Sequence, residues 1–417
     1  MNSPVRVDAH NKIRDHGPPD VYPHTSIGAG LQAAANVYNT SPNAAHFEIK
    51  ATIVFTDGFE DRAPFIADVE QLINERVYAV GIADAANVRN DILRALANNS
   101  GGYMLVTGSL AQDDEFLIEK YFIQIAAGVM NRDIVRDPKG WVLPGQIARV
   151  PFSITRSDID FDAIALSRTP QYVVIGLETP DGTIVNQTQV PVGSYRPGIT
   201  STSMRITLPL VLDGKEYWEG EWNLLLAEQR GPSILELSNG AALPFHALVH
   251  ARSNLNMRAY IDQSASNPGA EIHLRAVITE YGQPLETHPK VKATMTRPDQ
   301  TTVELLLNET DYGQFEISTI GLQSGVYRFY IQATGLSSRG QAFSREQLFT
   351  IIVGQAPRDS GNTQPDSEST TLCEFLKCLF SKGVITERLD RKLEEIGIDL
   401  PQLRHCISGI CSEKKPD

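Results

Sequence analysis

The sequence predicts a multidomain chain in which an α/β part precedes an all-β part. At 417 residues, the chain exceeds the roughly 100 to 200 residues of one typical domain. Helical and strand patterns alternate between residues 26 and 130, and from residue 137 apolar residues recur with a period of about two. We therefore expect domains at 1–136, 137–252 and 253–355, a linker at 356–371 and a small helical module at 372–417.

The first part alternates short apolar strands with amphipathic helices, which is typical of a parallel sheet covered by helices on both faces. Three strands and four helices are recognised in this part. The expected strands are Ile49–Phe55, Val77–Ala83 and Tyr103–Val106, and the expected helices are Ile27–Tyr38, Pro64–Asn74, Val88–Asn98 and Asp114–Val129.

The all-β part contains an internal repeat, which predicts two β-sandwich (Ig-like) modules. GEWNLLLA, which starts at Gly220, parallels GVYRFYIQA, which starts at Gly325. VVIGLETPDGTIV (173–185) parallels VKATMTRPDQTTV (291–303), and each consists of a strand, a Pro-Asp turn and a return strand. Two matches in the same order favour a true repeat over chance use of the same turn.

All four cysteines lie in the C-terminal module, after a Pro-, Ser- and Asp-rich linker. In an antiparallel helical hairpin, nested disulfides could join Cys373 to Cys411 and Cys378 to Cys406. One zinc ion bound by four thiolates, or four free thiols, are the alternatives. A module this small has little core, which favours disulfides and hence an oxidising compartment.

The composition argues against several classes of function. The 37 basic and 50 acidic residues give a net charge of −13, which disfavours a nucleic-acid partner. No apolar stretch is long enough to predict a membrane span. The phosphate-binding loop, the zinc-protease helix and the serine-hydrolase elbow have no match in the sequence, so we expect a protein that is not an enzyme.

Two segments resemble the von Willebrand factor A (VWA) family: TSIGAGL, from Thr25 to Leu31, and IVFTDG, which ends at Gly58. That family has a doubly wound sheet with a metal-ion-dependent adhesion site, in which three loops bind Mg²⁺, or Mn²⁺ or Ca²⁺. The resemblance assigns Thr25 to the second of these loops and Asp57 to the third. Both side chains offer the oxygen ligands that Mg²⁺ prefers.

The family's first loop, Asp-x-Ser-x-Ser, has no counterpart before Thr25, and the 24 preceding residues are too few for three strands with their helices. The resemblance therefore implies a truncated domain with a partial doubly wound parallel sheet. Its metal site would be incomplete and would bind metal weakly or not at all. Without metal, Thr25 would cap the following helix and Asp57 would stabilise a turn. The strand Ile49–Phe55 would become an open edge, which a protein partner or a missing N-terminal segment would complete.

These features predict a non-enzymatic, adhesion-type protein that binds another protein and is located outside the cell, at its surface or in the periplasm. In module order the chain is also similar to calcium-activated chloride channel regulator proteins. The alternative is a cytoplasmic subunit of the VWA family that acts in assembly or as a chaperone. A hydrolase with an unrecognised site in the sandwiches is the third hypothesis.

Overall fold

The computed structural model describes residues 24–40, 50–74, 76–81, 89–97, 104–106, 116–167, 170–198, 201–228 and 242–354. The predicted linker, the helical module and its disulfide pairs lie outside these residues.

The described helices are few and short. They are α1 (Ile27–Thr40), α2 (Asn90–Ala97) and α3 (Leu117–Val129), with 3₁₀ segments at Ile66–Leu72 and Pro170–Tyr172. No helix in the described part of the chain is long and apolar enough to cross a membrane.

Strands make up most of the described chain. They are β1 (Thr52–Thr56), β2 (Val77–Gly81), β3 (Met104–Val106), β4 (Asp133–Arg136), β5 (Lys139–Val142), β6 (Ile147–Ile154), β7 (Asp158–Leu166), β8 (Val173–Glu178), β9 (Ile184–Val185), β10 (Tyr195–Pro197), β11 (Ser201–Thr207), β12 (Leu210–Leu212), β13 (Lys215–Tyr217), β14 (Gly220–Glu228), β15 (Leu243–Ser253), β16 (Leu255–Gln263), β17 (Glu271–Glu280), β18 (Gln283–Pro284), β19 (Lys290–Thr296), β20 (Thr302–Leu306), β21 (Asn308–Asp311), β22 (Gln314–Ile320), β23 (Gly325–Leu336) and β24 (Ala342–Val353).

The parallel sheet contains β1, β2 and β3 in that order. Its middle strand has two apolar faces. Val77 and Ala79 pack in a core that includes residues of α1, α2 and the first 3₁₀ segment. Tyr78 and Val80 face the other way and belong to a large core built mainly by strands β16 to β24. One face of this sheet is therefore covered by helices, and the other packs with α3 and antiparallel strands.

The predicted fold class is therefore wrong. The chain is mostly antiparallel β, its only described parallel sheet has three strands, and no doubly wound VWA-type sheet is present among the described residues. The physical reason lies in β2, because residues buried on both faces of a strand indicate two covering layers but do not reveal what those layers are made of. Here one layer comes from strands more than a hundred residues away.

A ten-stranded sheet runs through both halves of the antiparallel part. Its order is β10-β11-β7-β15-β4-β24-β23-β19-β20, and β5 also pairs with β15. A four-stranded sheet, β6-β14-β8-β9, faces it in the first half, and a five-stranded sheet built on β16, β17, β22 and β21 faces it in the second. Each half has its own apolar core, but β4 joins them, so the expected modules share one continuous sheet.

The two pairs of repeated segments have the same local arrangement in the structure. In each half a strand turns through Pro-Asp into its return strand and pairs with the strand that begins with the repeated glycine. Gly220 and Gly325 have φ of +130° and +142°. An added Cβ atom would lie 2.7 Å from Pro180 and 2.6 Å from Pro298, respectively. Glycine is required at both positions because the preceding turn of each repeat packs directly on its backbone.

The two halves differ in how their strands pair. In the first half β6 pairs with β14 while β15 pairs with β7 in the opposite sheet, whereas in the second half β24 pairs with β23 while β16 pairs with β17. This exchange places β15 and β24 on either side of β4. It is the topological reason that one sheet can extend through both halves.

A buried ion pair holds the junction of the two halves. Arg345 is fully buried, and its Nη2 atom donates to Asp158 Oδ1 at 2.6 Å and to Ser253 Oγ at 3.0 Å. Its Nε atom donates to the Leu255 carbonyl at 3.0 Å. The other Asp158 oxygen accepts from the Thr155 amide at 2.6 Å. Both charges are therefore paired and hydrogen-bonded, as burial demands.

Side chains also attach the edge strand β16 to the shared sheet. The Met257 amide donates to Asp133 Oδ1 at 3.1 Å, and the Ala259 amide donates to Gln347 Oε1 at 3.0 Å. β16 is an edge strand, so these two side chains accept hydrogen bonds from backbone amides that would otherwise need a neighbouring strand as their partner.

Removing the Asp158 carboxylate should strongly destabilise the protein. We expect Asp158→Ala to lower the free energy of unfolding by about 3–5 kcal/mol, because it leaves the Arg345 charge buried and unpaired. Urea denaturation of the full chain measures this. Glu304→Ala, which removes an exposed partner of Lys292, should cost less than about 1 kcal/mol. Equal losses in both variants would contradict a special role for the junction pair.

The Asp133 carboxyl makes the free energy of unfolding depend on pH. Burial raises its pKa from 3.8 to about 6, although Arg345 and Arg258 favour its charged form and Asp158 opposes it. Between these two pH values the folded state binds more protons than the unfolded state, so this contribution to stability falls as pH rises from about 4 to 6. We expect Asp133→Asn to gain stability relative to wild type over that range, and urea denaturation at both pH values tests the sign. A constant difference would contradict the raised pKa.

Candidate functional site

The two residues assigned to the metal site meet at one loop, residues 57–62. Asp57 begins this loop, and Thr25 is hydrogen-bonded to it. The Thr25 amide donates to Asp61 Oδ1 at 2.6 Å, and its carbonyl accepts from the Asp61 amide at 3.1 Å. Asp57 follows β1, and its Oδ1 atom accepts from the Phe59 amide at 3.0 Å. Hydrogen bonds from the His24 ring and the Thr25 amide lower the pKa of Asp61.

The neighbouring acidic residue Glu60 caps two helices. Its Oε1 atom accepts from the Ile27 and Gly28 amides at 2.8 and 3.1 Å, and its Oε2 atom accepts from the Ile66 amide at 3.0 Å. A carboxylate is favourable there because the first amides of a helix have no partner within the helix. The capping of α1 could not be read from the sequence, because Glu60 lies more than thirty residues after that helix begins.

Ser26, rather than Thr25, provides the local cap of α1, since its hydroxyl accepts from the Ala29 amide at 3.1 Å. The carboxylates of Glu60 and Asp61 are engaged by backbone amides. No group of three or more His, Cys, Asp and Glu side chains among the described residues is placed to hold a metal ion. Metal binding by Thr25 and Asp57 therefore stays a prediction.

The described region instead presents an unusual aromatic turn between β17 and β18. Tyr281 and Gly282 form a two-residue hairpin with φ of +52° and +77°. A turn with two positive φ angles favours Asn-Gly or Asp-Gly, and this chain uses Asp213-Gly214 in the corresponding hairpin between β12 and β13. The Tyr281 side chain is large and 53% exposed, so neither turn geometry nor packing accounts for it.

Three further side chains lie next to one another in nearby loops. His288 also has a positive φ, +53°. Its Nδ1 atom is 2.7 Å from Glu309 Oε2, and its ring centre is 5.7 Å from that of Tyr312, which is 52% exposed. Glu309 Oε1 accepts from the Gly313 amide at 3.2 Å. Glu309 therefore positions both the histidine ring and the turn that carries Tyr312.

Hydrogen bonds bring these loops to one end of the second half. The Ile278 amide donates to the Gly313 carbonyl at 2.8 Å, which joins the Tyr312 turn to β17 just before Tyr281. The Thr287 hydroxyl donates at 2.5 Å to the carbonyl of Leu336, whose side chain is 51% exposed. We call this surface the tyrosine end. It consists of Tyr281, His288, Glu309, Tyr312 and Leu336.

The tyrosine end is fixed to the first half through Glu280. One Glu280 oxygen accepts from the Ser157 hydroxyl at 2.5 Å and the other from the Ser338 amide at 2.7 Å. The Tyr281 amide donates to the Asn254 carbonyl at 2.7 Å. Burial opposes ionisation of Glu280, but the bonds from Ser157 and Ser338 outweigh it and lower the pKa. The charged carboxylate thus holds the turn against the junction.

No residue of the tyrosine end was predicted from the sequence to be functional. A signal was present, because both Tyr281 and Tyr312 precede a glycine between two strands, where asparagine or aspartate is usual. The proximity of the two turns depends on strand register and could not be read from the sequence.

A second polar cluster lies inside the protein. Asp137 is 2.7 Å from Lys120 Nζ and 2.5 Å from His246 Nε2, and all three side chains are largely buried. Burial lowers the pKa of His246, reinforced by the Lys120 charge and opposed by Asp137. The cluster connects α3 to the ten-stranded sheet, which gives it a structural role.

No model of a known protein family and no curated protein matches this chain. Some solved structures are loosely similar. A Bacillus licheniformis lipase in its propeptide form is 14% identical with a TM-score of 0.31, over 55% of this chain and 42% of that one. A DUF4785 family protein from Legionella pneumophila is 10% identical with a TM-score of 0.36, over 53% and 65%. A β-1,2-glucanase from Parabacteroides distasonis is 10% identical with a TM-score of 0.21, over 58% and 34%.

This chain spans less than two thirds of the length of each of those three proteins, and the likenesses are too loose to assign a fold family or an activity. The proposed membership of the VWA family is wrong, and the similarity in module order to chloride channel regulators falls with it. No family model matches this chain, and its described strands are mostly antiparallel, with only three described strands in a parallel sheet.

Proposed function

We propose that this chain is a non-enzymatic binding protein that recognises a protein partner through the tyrosine end. The observation that carries the proposal is Tyr281, an exposed aromatic residue in a left-handed turn where the same chain elsewhere uses aspartate. A bulky residue in this conformation costs about 1–2 kcal/mol. A backbone conformation that lowers stability and is not offset by packing is typical of functional surfaces.

The chemistry of the tyrosine end suits a protein partner. Tyrosine offers a large apolar area and a hydroxyl, and it loses little conformational entropy on binding, so it is enriched in protein-binding surfaces. Here Tyr281 and Tyr312 are accompanied by the exposed apolar side chain of Leu336. The His288–Glu309 pair adds a polar group beside Tyr312.

The scaffold holds this surface in place before any partner binds. Glu280 connects the Tyr281 turn to both halves, and Glu309 restrains His288 and the Tyr312 turn. Loops presented by a rigid sheet lose less freedom on association than mobile loops do. The proposed site therefore belongs to the junction as a whole.

Replacing Tyr281 by the residue that its turn prefers should stabilise the protein. We expect Tyr281→Asn to raise the free energy of unfolding by about 1 kcal/mol, because asparagine adopts the left-handed conformation at lower cost. The matched change Asp213→Tyr, in the other hairpin of the same geometry, should lower it by a similar amount. Urea denaturation of both variants tests this. A loss of stability in Tyr281→Asn would mean that the ring has a structural role.

Photocrosslinking can test the site itself. In the full chain, benzoylphenylalanine replacing Tyr312 should form a discrete adduct with a protein from the native source, because that ring contacts the partner. The same group replacing Asp213 should not form this adduct. Excess wild-type chain should suppress the adduct, whereas excess Tyr281→Asn/Tyr312→Ser double variant should not. No adduct, or equal suppression by both competitors, would refute the proposal.

A further inference from the structure

A small hollow lies on the outer face of the five-stranded sheet. Its volume is about 160 Å³, and its lining includes Tyr260, Arg275, Val277, Gln314 and Glu316. This is close to the size of an engineered apolar cavity of about 150 Å³ that binds one benzene ring. The hollow therefore suits one small ring and is too small for a folded protein segment.

Strand register accounts for the position of these side chains. Arg275 on β17 lies opposite Tyr260 on β16 and opposite Glu316 on β22, and Val277 lies opposite Gln314. Residues opposite each other, or two apart along a strand, share one face of a sheet. The ring, the guanidinium, the carboxylate and the amide thus lie on the same face of the sheet as Val277.

The charged groups around the hollow are already paired. Arg275 Nη2 lies 2.9 Å from Asp262 Oδ2, and its guanidinium is 5.9 Å from the centre of the Tyr260 ring. Glu316 Oε2 lies 3.6 Å from His273 Nε2. Because Arg275 is paired with a carboxylate and Glu316 adds a negative charge of its own, the hollow offers little net attraction to an anion.

These observations define the chemistry of a ligand. The walls provide hydrogen-bond donors on Arg275 and Gln314 and acceptors on Glu316 and Gln314. Tyr260 and Val277 provide apolar surface. A molecule that matches both has a ring of C–H groups on one side and hydroxyl groups around its edge, and carries no charge.

We propose that this hollow binds one neutral sugar ring of a glycan. Hydroxyl groups of the sugar bond to Glu316, Gln314 and Arg275, and its C–H face contacts Tyr260. None of the residues that line the hollow belongs to the tyrosine end, and the proposal does not depend on the protein-binding function proposed above. A shallow, solvent-accessible site of this kind binds weakly, with a Kd of about 1 mM for a single disaccharide.

Saturation-transfer NMR on the full chain tests the proposal with cellobiose, lactose and N,N′-diacetylchitobiose as probes. We expect at least one to bind, Tyr260→Ala and Gln314→Ala to weaken it by about tenfold, and Tyr260→Phe to retain it because the ring remains. Tyr312→Ser should bind the sugar like wild type, since it alters only the tyrosine end. Unchanged thermal unfolding of each variant would show that loss of binding is not loss of folding.

Three results would overturn the assignment. The first is no saturation transfer to any of the three disaccharides at about 20 mM, far above the expected Kd. The second is equal binding by wild type and Tyr260→Ala. The third is displacement of the sugar by inorganic phosphate, which would assign the hollow to an anion. Failure of Tyr312 crosslinking has no bearing on these outcomes, so the two proposals stand or fall separately.

Discussion

The ion pair between Arg345 and Asp158 is the interaction on which the arrangement of the two halves depends. The backbone ladder that joins them is minimal, since β24 and β4 share the single partner pair Glu346 and Ile134. Side chains must therefore hold the junction. An arginine without contact to water needs a partner, and here the partner belongs to the other half. Any rotation between the halves would separate these two charges.

The proposed protein-binding surface depends on this junction. Glu280 accepts hydrogen bonds from Ser157 in the first half and Ser338 in the second, and the next residue is Tyr281. The position of an exposed aromatic ring is thus set by buried polar groups beneath it. The junction stabilises a turn whose own conformation is unfavourable. Stability then depends on Glu280, and the proposed recognition depends on the adjacent Tyr281.

Much of the local structure could be predicted, and the assembly of the α/β part could not. The expected strand Val77–Ala83 and helix Asp114–Val129 correspond to β2 and α3, because apolar periodicity reports local burial. The paired Pro-Asp turns of the repeat were also readable. The doubly wound sheet was a wrong inference, because the apolar faces of β2 do not specify whether helices or strands cover them.

The sequence by itself determined where strands and helices form, where the chain turns and that the second part contains a repeat. These properties arise from neighbouring residues, whose backbone preferences and apolar spacing act over a few positions. Only the tertiary structure decided that one sheet joins both halves, that Glu60 caps a distant helix and that Tyr281 and Tyr312 share one end. Asp158 and Arg345 are 187 residues apart, and contact over such a separation depends on packing of the whole chain.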